Sequence, residues 1–192
     1  MSATQFRLVG ASNHTDKERE INDYYATPPE AIDYLLAGGA ELSHDLWECA
    51  CGGGHPSKRL SALGYNVKST DLIYRGFGVG GVDFLQENRP FDGDIITNPP
   101  FKDALDFVYH ALDLVPEGRK VFMFLKLQFL EGKARRLLFD TKQLKTIYVL
   151  SGRLSCAKNG LFNEYKAGSA LCYAWFEFQK GYSGDPVIKW IN

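Results

Sequence analysis

The sequence predicts a single α/β domain in which a mainly parallel sheet carries helices on both faces. Three observations point there. Short apolar strands alternate with amphipathic helices along the chain. Successive predicted strands end on acidic or amide residues, at Glu48, Asp71 and Asn98. The 192 residues, 45% of them apolar, suffice for one core of ordinary size.

Residues 1–22 are polar, with a charged stretch from Asp16 to Glu20 and no sustained periodicity, and are predicted to form a mobile N-terminal arm. Asn13-His14-Thr15 matches a glycosylation sequon that a cytoplasmic protein would not use. Thr27-Pro28-Pro29-Glu30 predicts a helix start, with Thr27 as cap, Pro28 in the first turn and Glu30 closing a capping box. Ile32, Leu35 and Leu36 supply its apolar stripe, and Gly38-Gly39 end it. A strand is expected over 45–50, a helix over 56–63 closed by Gly64, and a strand over 66–70. Further strands are expected over 94–97, 121–127, 146–150, 170–179 and 187–191. A helix over 103–115 buries Ala104, Leu105, Phe107, Val108, Ala111, Leu112 and Val115, and another is expected near 130–139. Trp47, Trp175, Trp190 and the aromatic run 173–178 are expected to fill core and sheet surface. With no repeat or linker, residues 23–192 read as one domain.

Composition narrows the function. Lys and Arg number 22 against 23 Asp and Glu, which argues against a basic nucleic-acid coat while leaving room for a local basic patch. The apolar run 121–130 is interrupted by Lys126 and Gln128 and falls far short of the ~18 residues of a membrane span, so no membrane partner is expected. The first ten residues show no signal-peptide pattern. Four Cys without framework spacing therefore predict reduced thiols and a cytoplasmic protein.

Ligands of an open parallel sheet sit beyond the C-terminal strand ends. There, Glu48-Cys49-Ala50-Cys51-Gly52-Gly53-Gly54-His55 offers an acid and a turn that lets backbone approach a ligand. Asp71 stands at the end of the next strand, where a doubly wound fold places the carboxylate that accepts ribose hydroxyls. Together they predict a nucleoside-containing cofactor. Asn98-Pro99-Pro100-Phe101 is the sharpest signal. Neither proline has an N–H, so the segment presents two acceptors, the Asn98 side-chain oxygen and the Pro99 carbonyl, beside an aromatic face. That arrangement suits a planar amine or amide: the acceptors take its two hydrogens, Phe101 stacks on its plane, and the nitrogen lone pair localises for attack.

Asn98-Pro99-Pro100-Phe101 resembles motif IV of the S-adenosylmethionine-dependent amino-methyltransferases, above all the N6-adenine enzymes of the small phage and bacterial DNA type. The resemblance extends in family order over most of residues 23–180. It implies the class I methyltransferase fold, a Rossmann-like, mostly parallel seven-stranded sheet, and S-adenosylmethionine as cofactor. Asp23-Tyr24-Tyr25-Ala26-Thr27-Pro28 resembles the family's Tyr-x-Thr-Pro segment, which implies that Tyr25 and Thr27 contact the cofactor's methionine end. By the same resemblance Glu48, Cys49, Ala50, Gly52 and Gly54 hold the methionine moiety, and Asp71, with Leu72 beside it, the ribose. Asp83 would take the adenine amino group and Phe84 would flank its ring. Asn98, Pro99, Pro100 and Phe101 would be catalytic, Asn98 also bordering the cofactor.

The family's DNA enzymes often carry a separate target-recognition domain, for which little chain remains here. Specificity is then expected to come from loops, from a recognition partner or oligomer, or to be low. Lys126, Lys133, Arg135 and Arg136, together with Arg153, Lys158 and Lys166 of the 151–168 loop, are candidate phosphate contacts, balanced against a plain solvated face. Phe162 is a candidate second aromatic for a flipped base, or a core residue. Cys49, Cys51 and His55 lack the paired spacing of a zinc site, and no metal is expected. The expected activity is methylation of adenine N6 in DNA. The same chemistry on RNA adenine or on protein glutamine, and an inactive binding subunit of the same fold, are the alternatives.

Overall fold

Near-continuous apolar runs dictate where the two most deeply buried strands lie, because both faces of each are buried. The computed structural model describes residues 24–158, 160, 162 and 171–192; the predicted arm and Lys166 lie outside the described residues. The strands are β1 (Tyr25–Ala26), β2 (Asp45–Glu48), β3 (Asn66–Ser69), β4 (Asp94–Thr97), β5 (Lys120–Lys126), β6 (Leu144–Leu150), β7 (Ala157–Lys158), β8 (Tyr173–Gln179) and β9 (Val187–Ile191). The helices are α1 (Glu30–Ala37), α2 (His55–Ala62), α3 (Ala104–Leu114) and α4 (Arg136–Asp140).

Seven strands form one sheet in the order β3-β2-β4-β5-β8-β6-β9, and β1 pairs antiparallel with β7 in a separate two-stranded ribbon. Within the large sheet β8 alone runs against its neighbours β5 and β6; the other pairings are parallel. The architecture is that of a class I methyltransferase, as the sequence predicts. Alternation along β5 divides the core. Val121, Met123 and Leu125 meet Phe107, Val108 and Ala111 of α3 and Leu138 of α4 on one face, while Phe122 and Phe124 meet Ile32 and Leu35 of α1 and Leu60 of α2 on the other. β8 repeats the division, sending Phe176 and Phe178 to the first face and Trp175 to the second, where its indole N–H donates to the Ala31 carbonyl at 2.9 Å.

Three local expectations are corrected. Thr27 does not cap α1: the N-cap is Pro29, without a side-chain hydrogen bond, and the Thr27 hydroxyl serves another group described below. The single helix expected near 130–139 is broken into 3-10 turns at Leu127–Leu130 and Lys133–Arg135 followed by the short α4. Gly132 stands between the turns with φ +107°, a conformation that cannot continue a helix. Trp190 is no core residue, being 71% exposed on the edge strand β9, although Trp47 and Trp175 are fully buried.

Core packing of this kind has a measurable consequence. Phe176→Ala, at the centre of β8, is expected to cost about 3–5 kcal/mol in urea unfolding, whereas Leu137→Ala, on the exposed side of α4, should change stability by no more than about 0.5 kcal/mol. Equal effects of the two would contradict the assignment of the faces.

Candidate active site

The C-terminal ends of β2, β3 and β4 lie side by side, which brings the three predicted strand-end residues together. Glu48 closes β2 and is 1% exposed. Thr97, the last residue of β4, donates its hydroxyl to Glu48 Oε1 at 2.7 Å, so the acid is held from the adjacent strand. At the end of β3, Asp71 reaches back to the glycine turn: Oδ2 accepts the Gly52 N–H and Oδ1 the Ile73 N–H, both at 2.8 Å. An ionised carboxylate has further lone pairs, so both oxygens retain acceptor capacity.

Gly52 and Gly54 adopt φ +52° and +77°, where other residues are strained. The space a side chain would need is also taken. A Cβ on Gly52 would lie 2.0 Å from Tyr24 Cε2, and one on Gly54 would lie 2.1 Å from Phe77 Cδ1. The Tyr24 hydroxyl accepts the Gly53 N–H at 2.8 Å. Tyr24 and Phe77 thus cover the turn, with Arg75 over the Tyr24 ring and Lys58 over Phe77. Neither aromatic was singled out from sequence. The doubled tyrosine ahead of Ala26-Thr27-Pro28 and the single aromatic within the glycine cluster 76–81 were the available signals.

Asn98 follows β4 directly. Its amide nitrogen donates to the Tyr25 carbonyl at 3.1 Å and to the Thr27 hydroxyl at 2.9 Å. Its Oδ1 is buried with no hydrogen-bond partner among the described residues. Pro99 is buried, Pro100 exposed, and Phe101 half-buried with Lys126 Nζ 4.4 Å from the centre of its ring. Beyond Phe101 opens a cleft of about 210 Å³ whose lining includes Leu125, Lys126, Gln128, Phe129 and Arg135.

The remaining expected residues divide. Cys49 is buried and Ala50 half-buried beside the turn; Tyr25 and Leu72 are exposed. Asp83 is exposed and caps a 3-10 turn by accepting the Leu85 N–H at 3.1 Å. Phe84 is 2% exposed and packed against Trp47, Phe107 and His110. Lys126 borders the Phe101 cleft, but Lys133 and Arg136 do not line it, and Arg136 is paired with Asp140 at 2.7 Å. Arg153 is exposed. Phe162 stands edge-on to His55, ring centres 5.0 Å apart, at the start of α2.

Burial pushes the Cys51 thiol up to about 12 and holds that of Cys49 well above its ordinary value, so both are neutral thiols. Among the described residues no cluster of three or more His, Cys, Asp or Glu is placed to bind a metal, and no helix is long and apolar enough to cross a membrane.

Burial also pushes the Glu48 carboxyl up to about 8, with the Thr97 hydrogen bond opposing the shift and Asp71 adding to it. The folded chain keeps this proton between the ordinary carboxyl value of 4.5 and about 8, where the unfolded chain has lost it. The Glu48 contribution to stability must therefore fall as pH rises through that window, by at most about 1.4 kcal/mol per pH unit. Glu48→Gln removes the titration. Urea unfolding between about pH 5 and about pH 8 should show the variant gaining on the native chain as pH rises. A difference independent of pH would mean that Glu48 is ionised in the folded state.

No protein-family model matches the chain, and no curated protein matches its sequence. Solved structures do match. PH1948 from Pyrococcus horikoshii, provisionally named as an RNA methyltransferase, is 18% identical, with a TM-score of 0.57 over 81% of this chain and 86% of that one. The 23S rRNA methyltransferase ErmE is 13% identical, with a TM-score of 0.53 over 83% of this chain and 71% of that one. A modification subunit from Vibrio vulnificus, provisionally assigned to a type I restriction enzyme, is 12% identical, with a TM-score of 0.56 over 85% of this chain and 45% of that one. The present chain thus spans less than half of that subunit. At these identities the likeness is one of fold: the chain has the fold of the class I methyltransferases.

Proposed function

We propose that this protein transfers a methyl group from S-adenosylmethionine to the exocyclic N6 amine of adenine in DNA. The observation that carries the reading is the buried Asn98 Oδ1, an acceptor without a partner among the described residues at the end of β4. Leaving such an atom unpaired costs about 1–3 kcal/mol, a cost explained if a substrate N–H completes it.

The chain's residues fit the cofactor. The Glu48 carboxyl would give up its proton on pairing with an ammonium group, whose charge favours the ionised form, and Asp71 would accept from a pair of hydroxyls, while the glycine turn would admit a ligand at its backbone only if Tyr24 and Phe77 moved aside. Bound there, S-adenosylmethionine would supply a methyl group made electrophilic by its sulfonium. Asn98 Oδ1 and the Pro99 carbonyl would each accept one amine hydrogen, and Phe101 would stack on the base. Holding both hydrogens in acceptor bonds keeps the nitrogen lone pair out of the ring and aims it at the methyl group. Adenine must leave its stack to reach such a site. Lys126, beside Phe101, is the first candidate to meet the backbone, with Lys133, Arg136, Arg153 and Phe162 as further candidates. A partner or second copy would supply any longer recognition surface.

A second reading keeps this chemistry and places the adenine in RNA, which structured single strands can present without a large base-reading domain. It is motivated by PH1948 and ErmE, both named as RNA methyltransferases.

The test uses methyl-labelled S-adenosylmethionine with unmethylated DNA, total RNA or a protein extract, followed by digestion and mass spectrometry. N6-methyldeoxyadenosine is expected from DNA, and Asn98→Ala should lower its yield by roughly 10²–10³-fold. Label in RNA adenine or in glutamine would move the substrate. Full turnover by Asn98→Ala would overturn the mechanism. Absence of thermal stabilisation by saturating cofactor, where about 2.7 kcal/mol is expected at 100 times its dissociation constant, would favour an inactive binding subunit.

A further inference from the structure

An asparagine amide offers an acceptor at one end and two N–H donors at the other, and rotating it by half a turn exchanges them. The surroundings of Asn98 allow only one orientation. A backbone carbonyl accepts and never donates, so the Tyr25 oxygen at 3.1 Å assigns the nitrogen to its own side. The second N–H goes to the Thr27 hydroxyl at 2.9 Å. With both donors engaged, Oδ1 must point away from residues 25–27, and it is this oxygen that is buried and unpartnered.

We propose that Thr27 is a positioning residue: its hydroxyl, with the Tyr25 carbonyl, locks the Asn98 amide so that Oδ1 faces the substrate nitrogen. The inference rests on the reading of Asn98 as the amine acceptor and gives Thr27 a role separate from any contact with the cofactor. Thr27 is suited to this. It is 2% exposed, and it follows β1, whose Tyr25 and Ala26 are held in register against Lys158 and Ala157 of β7. The ribbon thus fixes the carbonyl, and the buried hydroxyl next to it takes the second hydrogen. Flipping the amide would set its N–H groups against the N–H groups of the substrate amine and its oxygen against the Tyr25 carbonyl. Without the hydroxyl, one donor is left unsatisfied and the productive orientation loses population.

Thr27→Val keeps the shape and removes the hydroxyl; Thr27→Ser keeps the hydroxyl. Thr27→Val is expected to lower kcat by roughly tenfold, the scale of one lost hydrogen bond. KM for cofactor and for nucleic acid should stay within about twofold, and Thr27→Ser should recover most of the rate. A readout free of activity accompanies this. The Asn98 side-chain N–H signals of nitrogen-labelled protein, identified by their loss in Asn98→Ala, should exchange slowly in the native chain and in Thr27→Ser, and faster in Thr27→Val.

Native kcat in Thr27→Val, with turnover abolished in Asn98→Ala, would overturn the positioning role and leave the proposed function standing. A raised cofactor KM with unchanged kcat would make the hydroxyl a cofactor contact and equally overturn the role. Native turnover in Asn98→Ala would sink the proposed function itself. In that case unchanged amide exchange in Thr27→Val would also dismiss the lock.

Discussion

The pairing of β2 with β4 is the constraint on which the site is built. Leu46 lies against Asp94 and Trp47 against Ile95 in parallel register, so both chains reach the same edge of the sheet and turn away together. One hydrogen bond joins them there, from Thr97 to the buried Glu48. Trp47 secures the third strand end by donating its indole N–H to Thr70 at 2.8 Å, one residue before Asp71. An acid, a glycine turn, a second acid and an amide are thereby assembled from segments far apart in sequence. No large groove is required to hold them; the strand ends themselves are the scaffold.

What lies over those ends is already well bonded. Gly52 donates to Asp71, Gly53 donates to Tyr24, and two aromatic rings occupy the space that the absent Cβ atoms leave. A ligand entering this turn exchanges hydrogen bonds instead of finding open donors, so each new bond contributes only its net difference over the old one. Selectivity must then come from groups that a generic ligand cannot satisfy. On the proposed function, the buried carboxyl of Glu48 and the Asn98 oxygen, which has no hydrogen-bond partner among the described residues, would be those groups.

The alternation of strands and helices, and the acids and amide at the strand ends, were legible because each depends on a local pattern: apolar period, glycine clustering and prolines that remove donors. The failures have a shared cause, competition between a local preference and a distant partner. Thr27 precedes two prolines and a glutamate, which is ample signal for a cap, yet its hydroxyl is drawn to Asn98. Trp190 lies in an apolar run, and only its place on the edge strand decides that Ile191 is buried and its neighbour is not. The β1–β7 ribbon, two residues on each side, has no sequence signature of its own.

The same competition explains why the segment before α1 matters beyond its helix. A cap at Thr27 would bond a helix N–H that water could otherwise satisfy. The observed bond instead satisfies a part-buried amide donor of Asn98, and leaving such a group unsatisfied is the costlier of the two. The energetic balance therefore favours sending the hydroxyl to Asn98, and α1 begins at Glu30 after Pro28-Pro29, where a missing N–H does no harm. Two prolines next to the threonine and two after the asparagine remove donors on both sides of the contact. Asn98 Oδ1 is left without a hydrogen-bond partner among the described residues, and the bonds from its amide nitrogen to the Tyr25 carbonyl and the Thr27 hydroxyl keep it from turning toward residues 25–27.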